Sequence, residues 1–210
     1  MCYYLFDYYE GELPRMDVEK MVIVFCSHGH GDHYQPKIFR KLQEMGMQRI
    51  YAVLSEDIDN HDEVVGAAFL YVTPGTQYNL PLGQELITYQ STDLGVAFLI
   101  SEGDEMIYHA GDLNDWVWEG ETPEYNEQMT KDYREQIDAL AEHLGKRKLS
   151  CAFVVLDPRQ EKNYDRGMLY FLEKVKADRV YPMHFWSKPQ AITQFLTEHP
   201  KYKDRIVATR

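Results

Sequence analysis

The sequence offers little to disulfide or thiolate chemistry. Its three cysteines, Cys2, Cys26 and Cys151, are widely spaced and form no CxxC pair. This pattern supports neither a disulfide framework nor a thiolate zinc site, and it favours the reducing cytoplasm. The sequence also lacks a long apolar run and an initial basic segment followed by an apolar one, so we expect neither membrane spanning nor secretion.

Basic residues are scarce as well. Lysine and arginine together number 22 against 34 acidic residues, which gives a formal net charge of -12. A surface with this balance repels phosphate backbones and disfavours general nucleic-acid binding. The hydrophobic share of 44% is enough for a full core. No repeat, low-complexity tract or linker divides the chain, so we expect a single domain over residues 1–210.

The distribution of apolar residues predicts a mixed α/β architecture. Ten short runs are typical of strands, and four stretches show the apolar spacing of helices. The expected strands are 3–6, 21–26, 50–54, 68–72, 86–90, 96–100, 105–109, 151–156, 179–183 and 205–209, and the expected helices lie within 36–46, 122–148, 166–178 and 188–199. Because strands cluster early and then alternate with helices, we expect sheets sandwiched between helix layers.

The stretch SHGHGDHY, residues 27–34, places three histidines and an aspartate directly after an apolar strand. In an extended loop His28 and His30 project to the same side and reach one cation, whereas Asp32 and His33 address a second point nearby. The intervening glycines let the backbone fold tightly. A polar surface loop is the alternative, but imidazole and carboxylate in this order indicate a site for Zn, Mn or Fe.

Two later strands end in residues that can complete such a site. Asp112 follows the strand at 105–109 in a His-Ala-Gly-Asp segment, and His184 follows the strand at 179–183. Asp112 can bridge two cations and His184 can close the shell of the second. Taken alone, Asp112 fits a turn carboxylate as well as a metal ligand, and His184 fits a half-buried histidine as well as a metal ligand. Their occurrence together with the histidine loop favours metal ligands for both.

This order of motifs resembles the metallo-β-lactamase superfamily. The segments IYHAGD and YPMHF are most similar to the branch of metal-dependent hydrolases that includes the ascorbate phosphate lactonase and RNase Z type enzymes. The resemblance implies an αββα sandwich, with two mixed β-sheets between helix layers and a dinuclear site at one edge. The family's fold normally begins with a strand pair, whereas one strand precedes Asp7 here. We therefore expect that edge to be open, or covered by a partner subunit in a homo-oligomer.

The resemblance also implies a role for each site residue. It assigns His28 and His30 to a first ion, Asp32, His33 and His184 to a second, Asp112 to both, and Asp7 to orienting a ligand histidine. The family usually supplies one more histidine, and the corresponding segment ITYQSTDLGVAFLI has none. Asp93 is the expected substitute ligand or water holder. The implied cofactor is one or two divalent ions, Zn foremost, with Mn and Fe as alternatives.

The implied activity is hydrolysis by a metal-bound hydroxide acting on a small ester, lactone or phosphoester. Asp32 or His109 is expected to move the proton, with His109 behind the ligands rather than among them. The competing functions are a non-catalytic metal-binding protein and an iron redox protein.

Residues outside the ligand set supply candidates for substrate binding. Arg159 suits an anionic small-molecule substrate, with a surface ion pair as the alternative, and Trp116 suits a pocket wall, with a place in the core as the alternative. Lys162 and Arg166 lie on the same loop as Arg159. The remaining histidines, His61, His143 and His199, are expected to be solvated.

Overall fold

Ten strands and four α-helices form the described part of the protein, in a computed structural model that covers residues 2–59 and 67–208. The strands are β1 Tyr3–Phe6, β2 Val22–Cys26, β3 Ile50–Ser55, β4 Ala67–Val72, β5 Gln77–Asn79, β6 Glu85–Gln90, β7 Val96–Glu102, β8 Glu105–His109, β9 Leu149–Val155 and β10 Ala177–Met183. The helices are α1 Lys37–Glu44, α2 Pro123–Leu144, α3 Arg166–Lys174 and α4 Gln190–Glu198, with short 3₁₀ helices at Pro158–Asn163 and Pro200–Tyr202.

The strands form two sheets. The first has the order β1-β2-β3-β4 and the second the order β10-β9-β8-β7-β6-β5. The second sheet is mixed, as expected, but every pair in the first is parallel, so the expectation of two mixed sheets was wrong for this one. The physical reason is connection length: residues 7–21 and helix α1 return the chain to the same end of the sheet, whereas short turns such as the one at Gly103 reverse it.

Helices cover the outer face of each sheet, which confirms the predicted αββα sandwich. Alternate residues of β2 serve two interfaces: Val22 and Val24 pack with α1, whereas Ile23 and Phe25 pack against the second sheet. Helices α2, α3 and α4 pack on the other face of that second sheet. A strand buried on both faces reads as a continuous apolar run, and β2 does so in the sequence.

Local signals explain where the longest helix begins and ends. Thr122 caps α2 by accepting a hydrogen bond from the backbone N–H of Tyr125, and Pro123 occupies the first turn. Gly145 ends the helix with a φ of 58°. Its buried residues Tyr133, Ile137, Leu140 and Leu144 follow the helical spacing that predicted it.

Two elements differ from the sequence-based expectation. Residues 77–79 were not among the expected strands, but they form the short strand β5, which pairs with β6. The strand expected at 205–209 is reduced to one parallel bridge between Ile206 and Val180, and residue 209 lies outside the described residues. Among the described helices, none combines the length and apolarity needed to cross a membrane.

The packing between the sheets predicts a clear stability difference. Leu86 is fully buried there, whereas Leu82 in the preceding turn is 41% exposed. Leu86→Ala should lower the free energy of unfolding by about 3 kcal/mol because it leaves a cavity, and Leu82→Ala should lower it by less than about 0.5 kcal/mol. Urea unfolding of both variants tests this; equal losses would contradict the sandwich core.

Candidate metal centre

The candidate centre lies where the carboxyl ends of five strands meet. Asp7 follows β1, the histidine loop follows β2, Asp112 follows β8, Asp157 follows β9 and His184 follows β10. Parallel strands bring their carboxyl ends to one edge of a sheet, and the two sheets face each other at this edge. Residues far apart in sequence are thereby brought within contact distance.

The carboxylate of Asp112 is the geometric centre of the site. Its Oδ1 lies 2.7 Å from Nε2 of His184 and 3.2 Å from Nε2 of His33, and its Oδ2 lies 3.7 Å from Nε2 of His28. Asp32 adds a second carboxylate, with Oδ2 3.7 Å from Nε2 of His33. His28, His33 and Asp112 offer ligand atoms that all lie within 4.8 Å of one another.

The polar atoms of this cluster are buried without adequate partners. Nε2 of His28, Oδ1 of Asp112 and Nδ1 of His184 have no aligned hydrogen bond among the described residues, although they lie close to other polar atoms. Buried nitrogen and oxygen atoms are costly when unpaired. Three imidazole nitrogens converging on both oxygens of one carboxylate suit a divalent cation, so the residues present fit the metal that the motifs imply.

Asp7 and Ser27 hold the histidine loop from behind. Oδ1 of Asp7 accepts the backbone N–H of Ser27 at 2.7 Å, and its Oδ2 accepts the Ser27 hydroxyl at 2.7 Å and lies 2.8 Å from Nδ1 of His33. Burial opposes the charge on Asp7, but the contacts with His33, His109 and Ser27 hold its pKa at about 2. An ionised Asp7 fixes the His33 ring so that Nε2 faces Asp112.

Burial and neighbouring charges set the protonation of the loop histidines. Burial, followed by the proximity of His33, lowers the pKa of His28, which favours the neutral ring that a metal ligand needs. Burial also disfavours the charged form of His33, but Asp7 and then Asp112 raise the net pKa above its usual value. The anionic field at His33 therefore favours a cation beside it.

Asp157 plays the corresponding part for His184, and the sequence interpretation did not include it in the site. Its side chain is fully buried, with Oδ2 3.6 Å from Nδ1 of His184 and both oxygens bound by Arg159. Burial disfavours the charged form of His184, yet the carboxylates of Asp112 and Asp157 raise the pKa of His184 to about 9. Its sequence signal is an aspartate directly after a buried strand, as at Asp7.

The backbone is strained at two of these strand ends. Asp7 has a φ of 42° and His184 a φ of 61°, in the left-handed region that residues with a Cβ rarely adopt. Such conformations cost about 1–3 kcal/mol each and persist where surrounding contacts impose them. Here they aim one carboxylate and one imidazole into the site.

Two glycines allow neighbouring strands to approach the histidine loop. Gly95, with φ +69°, lies directly against Ser27: an added Cβ would overlap the Ser27 carbonyl oxygen and stand 2.7 Å from Cβ of His28. Gly111, with φ +52°, would place a Cβ 2.7 Å from that of Ser27. Val96 donates its backbone N–H to the Ser27 carbonyl at 2.9 Å, which fixes this approach.

Some predicted ligands lie outside the central cluster. His30 is exposed, with its ring centroid 4.6 Å from that of His28 and on the same side of the loop. Asp93 is exposed and lines a cavity of about 230 Å³ that Asp112 also lines, without joining the cluster of His28, His33 and Asp112. Like those of the clustered residues, the ligand roles of His30 and Asp93 stay predictions.

His109 and Trp116 are both buried beside the cluster. Nδ1 of His109 accepts the backbone N–H of Gly111 at 3.1 Å and lies 3.8 Å from Oδ2 of Asp7. Burial lowers the pKa of His109 to about 4. The indole N–H of Trp116 donates to the backbone carbonyl of Asp112 at 2.8 Å, and its ring meets His184 edge-on at 5.9 Å. Trp116 thus positions the cluster as well as lining the cavity beside Asp112.

Of the three cations expected near the site, Arg159 lies beside it. Its guanidinium is half exposed, pairs with Asp157 and stands 5.0 Å from the centroid of the Trp186 ring. Lys162 pairs instead with Glu119, and Arg166 with Asp115.

The remaining histidines stand apart from the cluster. His143 is exposed as expected, and His61 lies outside the described residues. The expectation for His199 was wrong, because its Nε2 lies 2.8 Å from Oδ2 of Asp165 where α4 ends.

Comparison with solved structures identifies the fold. YhfI from Bacillus subtilis, a metallo-β-lactamase fold protein, matches over 86% of this chain and 72% of its own, with 9% identity and a TM-score of 0.50. The chain has the metallo-β-lactamase fold. The resemblance drawn from the motifs is therefore confirmed at the level of the fold. Comparison with protein-family models and with curated protein sequences gives no match.

Two other structures match this metallo-β-lactamase fold more loosely. Zn²⁺-bound PqqB from Methylobacterium extorquens has 13% identity and a TM-score of 0.48, over 78% of this chain. The short form of human tRNase Z has 12% identity and a TM-score of 0.40, over 78% of this chain and 72% of its own. The match spans 59% of PqqB, less than two thirds of that protein.

The tight approach of Gly95 to the histidine loop predicts a selective effect of one methyl group. Gly95→Ala should destabilise the protein by about 2 kcal/mol more than Gly103→Ala, because both positions have positive φ but an added Cβ at Gly103 meets nothing within 4 Å. Only the first variant should weaken zinc binding. Thermal unfolding and zinc titration of the pair measure this, and equal effects would show that the contact with Ser27 is unimportant.

Proposed function

We propose that this protein is a metal-dependent hydrolase acting on a small ester, lactone or phosphoester. One observation supports this most strongly: three imidazole nitrogens from two segments face the two oxygens of the buried Asp112 carboxylate, and two of these atoms, Nε2 of His28 and Oδ1 of Asp112, lack aligned hydrogen bonds. The metallo-β-lactamase fold, which the chain shares with YhfI, agrees with this proposal.

The two sides of Asp112 suggest two cation positions. Oδ2 faces His28, whose ring neighbours that of His30, and Oδ1 faces His33 and His184, with Asp32 next to His33. In the proposed site these groups would hold one ion on each side of Asp112. Zinc suits this imidazole and carboxylate mixture, with manganese and iron as alternatives.

A divalent cation bound there would supply a water of lowered pKa and polarise the bond to be cleaved. The chain's own residues would orient the reaction. Asp7 and Asp157 hold the ligand rings of His33 and His184 in place through contacts on their far sides. Asp32, one third exposed, would accept a proton at its carboxylate.

Arg159 indicates the charge of the proposed substrate. The guanidinium lines the cavity of about 230 Å³ that Asp112, Asp93 and Trp116 also line. Asp157 accepts hydrogen bonds from part of the guanidinium, which fixes the position of the Arg159 side chain. The exposed half of the guanidinium remains available to a ligand. We infer that the substrate is a small anion whose carboxylate or phosphate reaches Arg159.

Removal of Asp112 should abolish metal binding. Asp112→Ala takes away the one carboxylate that contacts all three imidazoles, so the purified protein should lose its zinc and its turnover of 4-nitrophenyl esters and phosphodiesters. Asp178→Ala, a change to an exposed aspartate paired with Lys148, is the matched control and should retain both. Elemental analysis gives the stoichiometry, and full metal content in Asp112→Ala would refute the site.

The same measurement separates the competing functions. Zinc with turnover supports the hydrolase, folded wild-type protein that binds metal without turnover supports a non-catalytic protein, and coloured iron supports redox chemistry. Asp93→Ala tests the substitute ligand: a loss of one equivalent of metal supports that role, and unchanged stoichiometry excludes it.

The role of Arg159 predicts discrimination between anionic and neutral substrates. Arg159→Ala should raise KM about tenfold for the 4-nitrophenyl monoester of succinate, which carries a free carboxylate, and change KM little for 4-nitrophenyl acetate. Lys162→Ala removes a neighbouring cation that pairs with Glu119, and it should leave both unchanged. Steady-state kinetics provide the test, and equal increases in KM for the two esters would exclude recognition of the anion.

A further inference from the structure

A second cavity, of about 450 Å³, adjoins the metal-binding cluster and shares no lining residue with the cavity at Arg159 and Asp93. Asp32, His33 and His184 form part of its lining. Its remaining wall is mostly apolar and comes from β1, β9, β10 and the turn after β10, through Tyr4, Phe6, Phe153, Met183 and Trp186. This volume and this mixture of apolar surface with a few polar groups are typical of small-molecule sites.

The aromatic wall is held rigidly. Phe6 stacks on Phe25 at 4.9 Å, and Phe153 stacks on Tyr181 at 5.1 Å. The hydroxyl of Tyr4 donates to Oε2 of Glu102 at 2.8 Å, so this polar group is already engaged. Stacked rings with fixed orientations form a preorganised surface for a flat apolar group.

His109 adds one polar atom to this wall. Its ring lies on that of Phe6, with centroids 4.7 Å apart and planes 7° from parallel. Since Nδ1 accepts the Gly111 N–H, the neutral ring carries its proton on Nε2. His109 lines the cavity, and no group among the described residues forms a hydrogen bond with Nε2 of His109. The cavity therefore presents an N–H donor within an aromatic wall.

We propose that this cavity binds an aromatic arm of the substrate, and that Nε2–H of His109 donates a hydrogen bond to an acceptor on that arm. This inference rests on the proposed function, because the reacting group of the substrate would lie at the cluster that adjoins the cavity. His109 then recognises the substrate instead of transferring its proton. Removal of a flat apolar group from water supplies the affinity, and the single donor supplies the selectivity.

Binding of non-hydrolysable phosphonates to the zinc-loaded protein tests this proposal without turnover. Methylphosphonate and phenylphosphonate offer the same anionic head, and 4-nitrophenylphosphonate adds an acceptor to the ring. Titration calorimetry should give phenylphosphonate about tenfold tighter binding than methylphosphonate. The nitro group should add about threefold more.

Two variants examine the wall and the donor separately. Tyr9, in the loop after β1, also lines the cavity and is 46% exposed; Tyr71 is 46% exposed as well and lies on β4, at the opposite edge of the first sheet from β1. Tyr9→Ala should reduce the preference for phenyl over methyl at least about threefold, whereas the matched control Tyr71→Ala should not change it. His109→Phe retains the ring on Phe6 and should abolish only the gain from the nitro group. If that variant does not fold, Tyr9→Ala still decides the proposal.

Equal binding of phenyl- and methylphosphonate by the wild type, or an unchanged preference in Tyr9→Ala, would overturn the inference. Its failure is distinguishable from failure of the proposed function. Aromatic preference in binding with no ester hydrolysed would count against the hydrolase alone, and hydrolysis without aromatic preference would count against the cavity alone.

Discussion

The rest of the site depends on one constraint, the burial of the Asp112 carboxylate among three imidazole rings. A buried carboxylate needs positive charge or donors at both oxygens, and an imidazole that binds a metal through Nε2 presents a lone pair there instead of an N–H group. The unpaired Nε2 of His28 and Oδ1 of Asp112 are the visible consequence. A cation satisfies nitrogens and oxygens together, which explains why an arrangement that is unfavourable on its own is built with so much supporting structure.

That support comes from a second ring of residues around the ligands. Asp7 and Asp157 end parallel strands on opposite sheets, and each places a carboxylate behind one ligand histidine. The positive φ values at Asp7 and His184 show that the strand ends are bent to reach these positions. Gly95 and Gly111 bring the neighbouring strand ends against Ser27. The two sheets must therefore pack in one register for the ligands to meet.

The sequence predicted most of the elements and the residues that meet at Asp112, because strand ends and the HxHxDH order are local patterns. It did not predict Asp157, whose role depends on β9 pairing beside β10, a contact between distant segments. It also placed the important glycines in the histidine loop, where neither has a positive φ, instead of at Gly95 and Gly111. The need for those two arises from the close approach of other strands to Ser27. The aromatic cavity likewise requires both sheets, since β1 and β9 supply facing walls.

The two cavities can receive different parts of one substrate. Arg159 and Asp93 line one cavity together with Asp112, and stacked aromatic rings line the other together with His33 and His184. Together the two proposals place the anionic group of a substrate at Arg159, its aromatic arm against Phe6 and His109, and the bond to be cleaved between them at the metal cluster. A substrate with its charge and its aromatic ring on the same side of the scissile bond would satisfy one cavity and leave the other empty. Selectivity would then depend on the order of the groups along the substrate as much as on their identity.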